Sequence, residues 1–216
     1  MKYSLESKTN ILFGVFIGSL IAANLIGLKI ADFGFFDASV GILLFPILFL
    51  ITDVIEEVHG RKKTKELIII GVITLILVLI VTTLGVLLPF AERSMVNEEY
   101  TTIFGTTIRI FIASITAFVL SQLHDVWAFN FWKEKTHGEH LWLRNNLSTM
   151  VSTLIDTIIF MFIAFYAITP KFTVEYVFAL IIPYWLVKVL FALFDTPFCY
   201  LGVWWLRGKK PEKKKV

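Results

Sequence analysis

The chain has little of what a soluble or secreted protein is built from. Only 17% of its 216 residues are charged and it holds a single cysteine, Cys199, where soluble domains carry about 25% charge. One cysteine excludes a disulfide scaffold. A hydrophobic content of 57% excludes intrinsic disorder, which needs few apolar and many charged residues. Catalytic signatures are missing as well: there is no Gly-x-Ser-x-Gly elbow, no His-Glu-x-x-His pair and no phosphate-binding glycine loop. The four histidines do not replace them. His137 and His140 lie three apart in a short polar turn, a poor start for a metal site. His59 before Gly60 reads as a helix-end residue, and His124 beside Asp125 faces a different side of a helix, which disfavours a dyad. The chain is therefore read as a non-enzyme with no metal and no cofactor.

What is present is apolar sequence in blocks. A helix needs about 20 residues to cross about 30 Å of hydrocarbon, and blocks of that kind lie at 10–30, 35–58, 66–90, 103–129, 145–169 and 174–206. In lipid a lone helix satisfies its own backbone and a lone strand does not. The expected fold is thus an all-α integral membrane protein, a bundle of six transmembrane helices. The first block is too long for a signal-peptide core and has no convincing cleavage site after it. The last is overlong for one straight crossing, and Pro183 and Pro197 are places for it to kink. Gly14, Gly18 and Ala22 put small residues on one face of the first helix, as close helix packing in lipid requires.

Orientation follows from the basic residues, which are retained in the cytoplasm. They cluster at Lys2 and Lys8, at 61–65, at Lys133, Lys135 and Arg144, and at 207–215, whereas the opposite loops hold Lys29, Arg93 and Lys171. Both termini are expected in the cytoplasm, with Trp204 and Trp205 as an interfacial belt. The domain reading is a single six-helix transmembrane domain over 1–208 and a basic cytoplasmic tail over 209–216. That tail is expected near anionic lipid rather than on nucleic acid.

Ionisable residues within such spans are costly unless they face protein or a water-filled cavity. This chain has Asp53, Glu56 and Glu57 at the end of the second span, Arg109 and Asp125 in the fourth, Asp156 in the fifth, and Lys188 and Asp195 in the sixth. Asp53 and Glu57 share a helical face, Ser121, Gln122 and Asp125 share another, and Ser148, Ser152 and Asp156 form a four-residue ladder. Any single one of these could be bundle glue. As a set they predict a polar central cavity in the half of the membrane nearer the basic loops.

These residues resemble the queuosine precursor transporter family, also grouped as vitamin uptake transporters, over nearly the whole chain. The likeness rests on residues 24–29, on Phe45-Pro46 followed by 53–60, and on Ser121-Gln122 with Asp125. It continues through 141–146 with Ser148, Thr149, Ser152, Asp156 and Thr157, and ends at Lys188 with Asp195, Thr196 and Pro197. His59 stands where the family often has tyrosine, and Thr153 where it often has glutamine. The resemblance implies a multi-pass protein of the cytoplasmic membrane that imports a deazaguanine base such as 7-cyano-7-deazaguanine, a precursor of modified tRNA bases.

A guanine-like edge offers a ring N–H and an exocyclic amine to one carboxylate, and an exocyclic oxygen to a donor. Asp53, Asp125, Asp156 or Asp195 could supply the first; Gln122, Asn145, Asn146, Arg144 or Lys188 the second. Glu57 and Asn24 complete the expected set. Arg144 could equally pair with Glu57 or Asp125. Phe49, Trp127 and Trp185 are candidate stacking walls. The base is expected between the second, fourth, fifth and sixth helices. Coupling to protons or another ion, facilitated diffusion and a separate energising partner all stay open, as does self-association. The alternatives are a capture subunit for another vitamin, an intramembrane aspartyl enzyme and a structural scaffold.

Overall fold

The structure is a computed structural model and describes residues 3–34, 37–167, 170 and 173–208. Lys2, Lys171 and the tail over 209–216 lie outside the described residues. Within them six α-helices run as α1 (Leu5–Ile26), α2 (Phe45–His59), α3 (Arg61–Leu87), α4 (Asn97–Lys135), α5 (Leu141–Phe165) and α6 (Val174–Arg207). Five of these, all but α2, are long and apolar enough to cross a membrane.

The second expected span is where sequence and structure part. The block 35–58 does not form one helix: a hairpin pairs Ile30–Asp32 with Asp37–Ser39, then a 3-10 turn covers Val40–Leu44, and α2 begins only at Phe45. Pro46 explains the break, because it lacks the N–H a continuing helix would need and fits the first turn of a new one. At about 1.5 Å per residue α2 spans about 22 Å, and only together with the 3-10 turn does the helical run approach about 30 Å. Near the hairpin tip the Asp32 carboxylate accepts from the Gly34 N–H at 2.6 Å, an Asx turn that alternating hydrophobicity does not reveal.

The hairpin is anchored on the end of α1. The Ser39 hydroxyl donates to the Gly27 carbonyl at 2.5 Å and accepts from the Gly41 N–H at 3.2 Å. Here the backbones approach so closely that a Cβ on Gly41 would sit 2.9 Å from the Ala23 carbonyl oxygen. α2 and α3 meet at Gly60 with no loop between them. Its φ of 79° and ψ of 176° belong to a region essentially reserved for glycine.

α4 outruns the expected 103–129 at both ends; at 39 residues it is about 58 Å long. Within it the Arg109 guanidinium donates to the carbonyls of Ile163 and Tyr166 and so satisfies acceptors at the open C-terminal end of α5. Pro183 and Pro197 both lie inside α6, which continues through them.

The core joins Phe16 and Leu20 of α1, Val54 and Ile55 of α2, Leu67 and Leu75 of α3, Phe118 and Phe129 of α4, and Val203 of α6. Close packing uses other glycines than the expected stripe. Gly14 and Gly18 have nothing within reach of an added Cβ, whereas a Cβ on Gly71 would meet Leu20 and Phe16 at 3.0 and 3.1 Å, and one on Gly202 would meet Val54 at 2.8 Å. A Gly202→Val variant is therefore expected to lose about 1–3 kcal/mol by overpacking the α2–α6 contact. Thermal unfolding in detergent measures it; an unchanged midpoint would show that the two helices can part without cost.

Lys8 Nζ donates to the Trp205 carbonyl at 2.6 Å and lies over its ring, so the start of α1 and the end of α6 share one end of the bundle. The basic clusters near 61–65 and 133–144 lie at that same end, the basic end of the molecule.

Candidate functional site

A cavity of about 110 Å³ lies between the end of α1, the 3-10 turn, and the neighbouring parts of α2, α4, α5 and α6. At the hairpin, away from the basic end, its lining includes Gly27, Ser39 and Gly41. Most of the wall is apolar, from Leu20, Phe45, Phe118 and Phe160. The polar groups that line it are Asn24, Ser39, Ser114, Tyr184, and above all Asp156 with Lys188.

Asp156 and Lys188 form a buried ion pair. Lys188 Nζ donates to Asp156 Oδ2 at 2.7 Å, and the Ser121 hydroxyl donates to Oδ1 at 3.4 Å. The lysine is 4% exposed. Its ammonium also sits 3.9 Å from the centre of the Phe45 ring and 5.3 Å from that of Tyr184. Asn24 donates its amide to the Leu20 carbonyl at 2.9 Å, an intrahelical bond that leaves its side-chain oxygen as an acceptor on the cavity wall.

From Asp156 a row of buried polar side chains leads toward the basic end. Asp156, Ser152, Thr149 and Asn145 occupy one stripe of α5 that covers about 16 Å. Asp125 of α4 and Asp53 of α2 face that stripe, and Gln122 is buried one turn before Asp125 on α4. Thr149 donates to Asp53 Oδ2 at 3.3 Å, Asp53 and Asp125 meet carboxyl to carboxyl, and Ser148 and Ser152 touch Asp125. Ser152 also shares a hydrogen bond of 2.9 Å with His124.

The row ends at an ion cluster built on Glu57. Arg144 Nη2 donates to Glu57 Oε2 at 2.5 Å, Lys133 lies 3.1 Å from the same oxygen, and Arg207 lies 3.3 Å from Oε1. Arg144 is 1% exposed, and its other terminal nitrogen donates to the carbonyls of Gly138 and Glu139 at 3.0 and 2.8 Å. One carboxylate thus ties α2 to α4, α5 and α6.

The structure brings the expected residues into three groups. Asn24, Asp156 and Lys188 line the cavity; Asp53, Gln122, Asp125 and Asn145 form the buried row; Glu57 and Arg144 form the ion cluster. Asn146 is turned toward α6, where its amide donates to Thr196 at 2.7 Å. Asp195 is half-buried and outside the cavity wall. Of the candidate stacking rings, Trp127 is 52% exposed, Trp185 donates to the Met150 carbonyl, and Phe49 packs on Phe45. The rings at the cavity are Phe45, Phe118, Phe160 and Tyr184, which sequence reasoning missed. The signal for Phe45 was its place beside Pro46, where a broken helix exposes a ring to the interior. A pair between Glu56 and Asn130 was missed too, because residues on different helices carry no mutual spacing.

Comparison with known proteins identifies relatives of the chain. The family model described as "Putative vitamin uptake transporter" matches residues 39–202. The chain is 31% identical over 188 residues to a "Probable queuosine precursor transporter" of Bacillus subtilis, covering 86% of this chain and 81% of that protein. It is 32% identical over 147 residues to a protein of the same description from Haemophilus influenzae, covering 67% of this chain and 59% of that one. Identity to the "Queuosine precursor transporter" of Escherichia coli is 28% over 156 residues, 70% of this chain and 66% of that protein. No solved structure matches the chain. The protein is a multi-pass membrane transporter and not an enzyme. Sequence, helical architecture and these matches agree, and the chain belongs to the vitamin uptake transporter family.

Proposed function

We propose that the protein imports a 7-deazaguanine base, such as 7-cyano-7-deazaguanine, across the cytoplasmic membrane, and that the cavity at Asp156 and Lys188 holds it. The observation that carries this reading is the buried ion pair on an otherwise apolar, ring-lined wall. A deazaguanine presents a ring N–H and an exocyclic amine on one edge and a carbonyl oxygen beside them. Asp156 can accept the first two while Lys188 donates to the oxygen, so the ligand's edge bridges two charges that already neutralise each other. A neutral base leaves that balance intact, whereas an anion would displace Asp156 from its lysine at a large desolvation cost. The rings that line the cavity, Phe118 and Phe160 beside Phe45 and Tyr184, give a flat ring an apolar wall. This reading brings α1 to the site through Asn24, in addition to the four helices expected from sequence.

The basic end is taken as cytoplasmic, following the distribution of lysine and arginine, so the hairpin end of the cavity lies toward the outer face. The experiment uses cells that can neither make nor import 7-cyano-7-deazaguanine and that express this chain alone. Queuosine-type tRNA modification is expected to return when the base is supplied. Absence of modification with the protein confirmed in the membrane would overturn the reading, in favour of another base or a required energising partner.

A further inference from the structure

The cavity ends at Asp156, yet the buried polar row continues beyond it. Along this row Gln122 is fully buried, and neither its amide nitrogen nor its oxygen has a hydrogen-bond partner among the described residues. Asp125 Oδ1 and the side-chain oxygen of Asn145 are likewise buried and without partners there. A buried polar atom without a partner is destabilising, and native interiors hold few of them. Bundle glue would be bonded. A group of such atoms buried on two neighbouring helices, α4 and α5, is what a passage leaves behind when its walls close on each other.

We propose that the row from Asp156 through Gln122, Asp125, Asp53 and Asn145 is the inner half of the translocation path, and that the Glu57 ion cluster is its gate, shut in this structure. The proposal rests on the cavity being the outer binding site. The cluster's geometry suits a gate. It joins the ends of four helices through one carboxylate, and two of its cations, Lys133 and Arg207, are partly exposed, so water can reach and exchange those bonds when the helices separate. Opening it would let water or the base's polar edge reach the unpartnered atoms, which offsets part of the cost of breaking the ions apart.

Cys199 supplies a built-in reporter. It is the one cysteine in the sequence, fully buried on α6 in the core it shares with Val54 and Ile55 of α2. In purified full-length protein in lipid nanodiscs, N-ethylmaleimide is expected to label wild type slowly and Cys199→Ser not at all. Glu57→Gln is expected to raise the labelling rate at least tenfold. Gln122→Leu, which removes two unpartnered atoms at similar volume, is expected to lower that rate several-fold and to raise the unfolding temperature by about 2–4 °C. Folded Glu57→Gln labelling at the wild-type rate, or Gln122→Leu melting below wild type, would overturn the proposal. Should Glu57→Gln fail to fold, the double variant Lys133→Gln with Arg207→Gln, which keeps the Arg144–Glu57 pair, is read on the same outcomes. No substrate enters the assay, so its failure is separate from failure of the deazaguanine reading.

Discussion

An Asp156→Asn variant is expected to lose about 3–5 kcal/mol of stability and all measurable uptake, and adding Lys188→Met is expected to return most of the stability but none of the uptake. The first loss follows from burial: the carboxamide that replaces the carboxylate can still accept from Lys188 but carries no negative charge, so the buried ammonium loses its counter-ion, and an uncompensated buried ion costs that much. The recovery follows because methionine matches the lysine stem in length and packs against Phe45 and Tyr184 without a charge to satisfy. Stability then no longer accounts for activity. Thermal unfolding and uptake of 7-cyano-7-deazaguanine, measured on wild type and both variants, separate the two roles. Uptake by a stable double variant would show the pair to be structural and would move the ligand elsewhere.

Replacing Arg144 by methionine is expected to cost about 3 kcal/mol, and replacing it by lysine nearly as much. Arg144 is buried and donates at once to Glu57 and to two consecutive loop carbonyls, and each hydrogen bond to a charged group contributes about 1.5–3 kcal/mol. Glu57 keeps Lys133 and Arg207, which limits the loss. Lysine preserves the charge but is a point donor on a flexible stem, so it cannot hold the carboxylate and both carbonyls at once from two nitrogens as guanidinium does. The midpoint of thermal unfolding decides. An Arg144→Lys protein as stable as wild type would mean that only charge matters at this position.

Much of this protein is legible in its amino-acid order. Helices follow from apolar blocks because lipid leaves the backbone no other local partner. That the start of α1 and the end of α6 share one end follows from an even number of helices. The polar residues in the spans stand out because the membrane makes them costly, and the spacing of Ser148, Ser152 and Asp156 already puts them on one face.

Other features depend on contacts between helices. The break at Pro46, the hairpin on Ser39 and the glycine contacts at Gly71 and Gly202 arise where separate segments approach, and the stripe of Gly14 and Gly18 that looked suited to packing meets no neighbour. The pairing of Lys188 with Asp156 could not be read from the chain, since the two are 32 residues apart on different helices and any of several aspartates could have served. Arg144 had two credible partners, Glu57 and Asp125, until helix packing gave it Glu57. That charges are buried, and on which helical faces, follows from composition and a 3.6-residue period alone. Which charges meet does not, because an ion pair needs its two groups within a few ångströms and that distance is set by how whole helices pack.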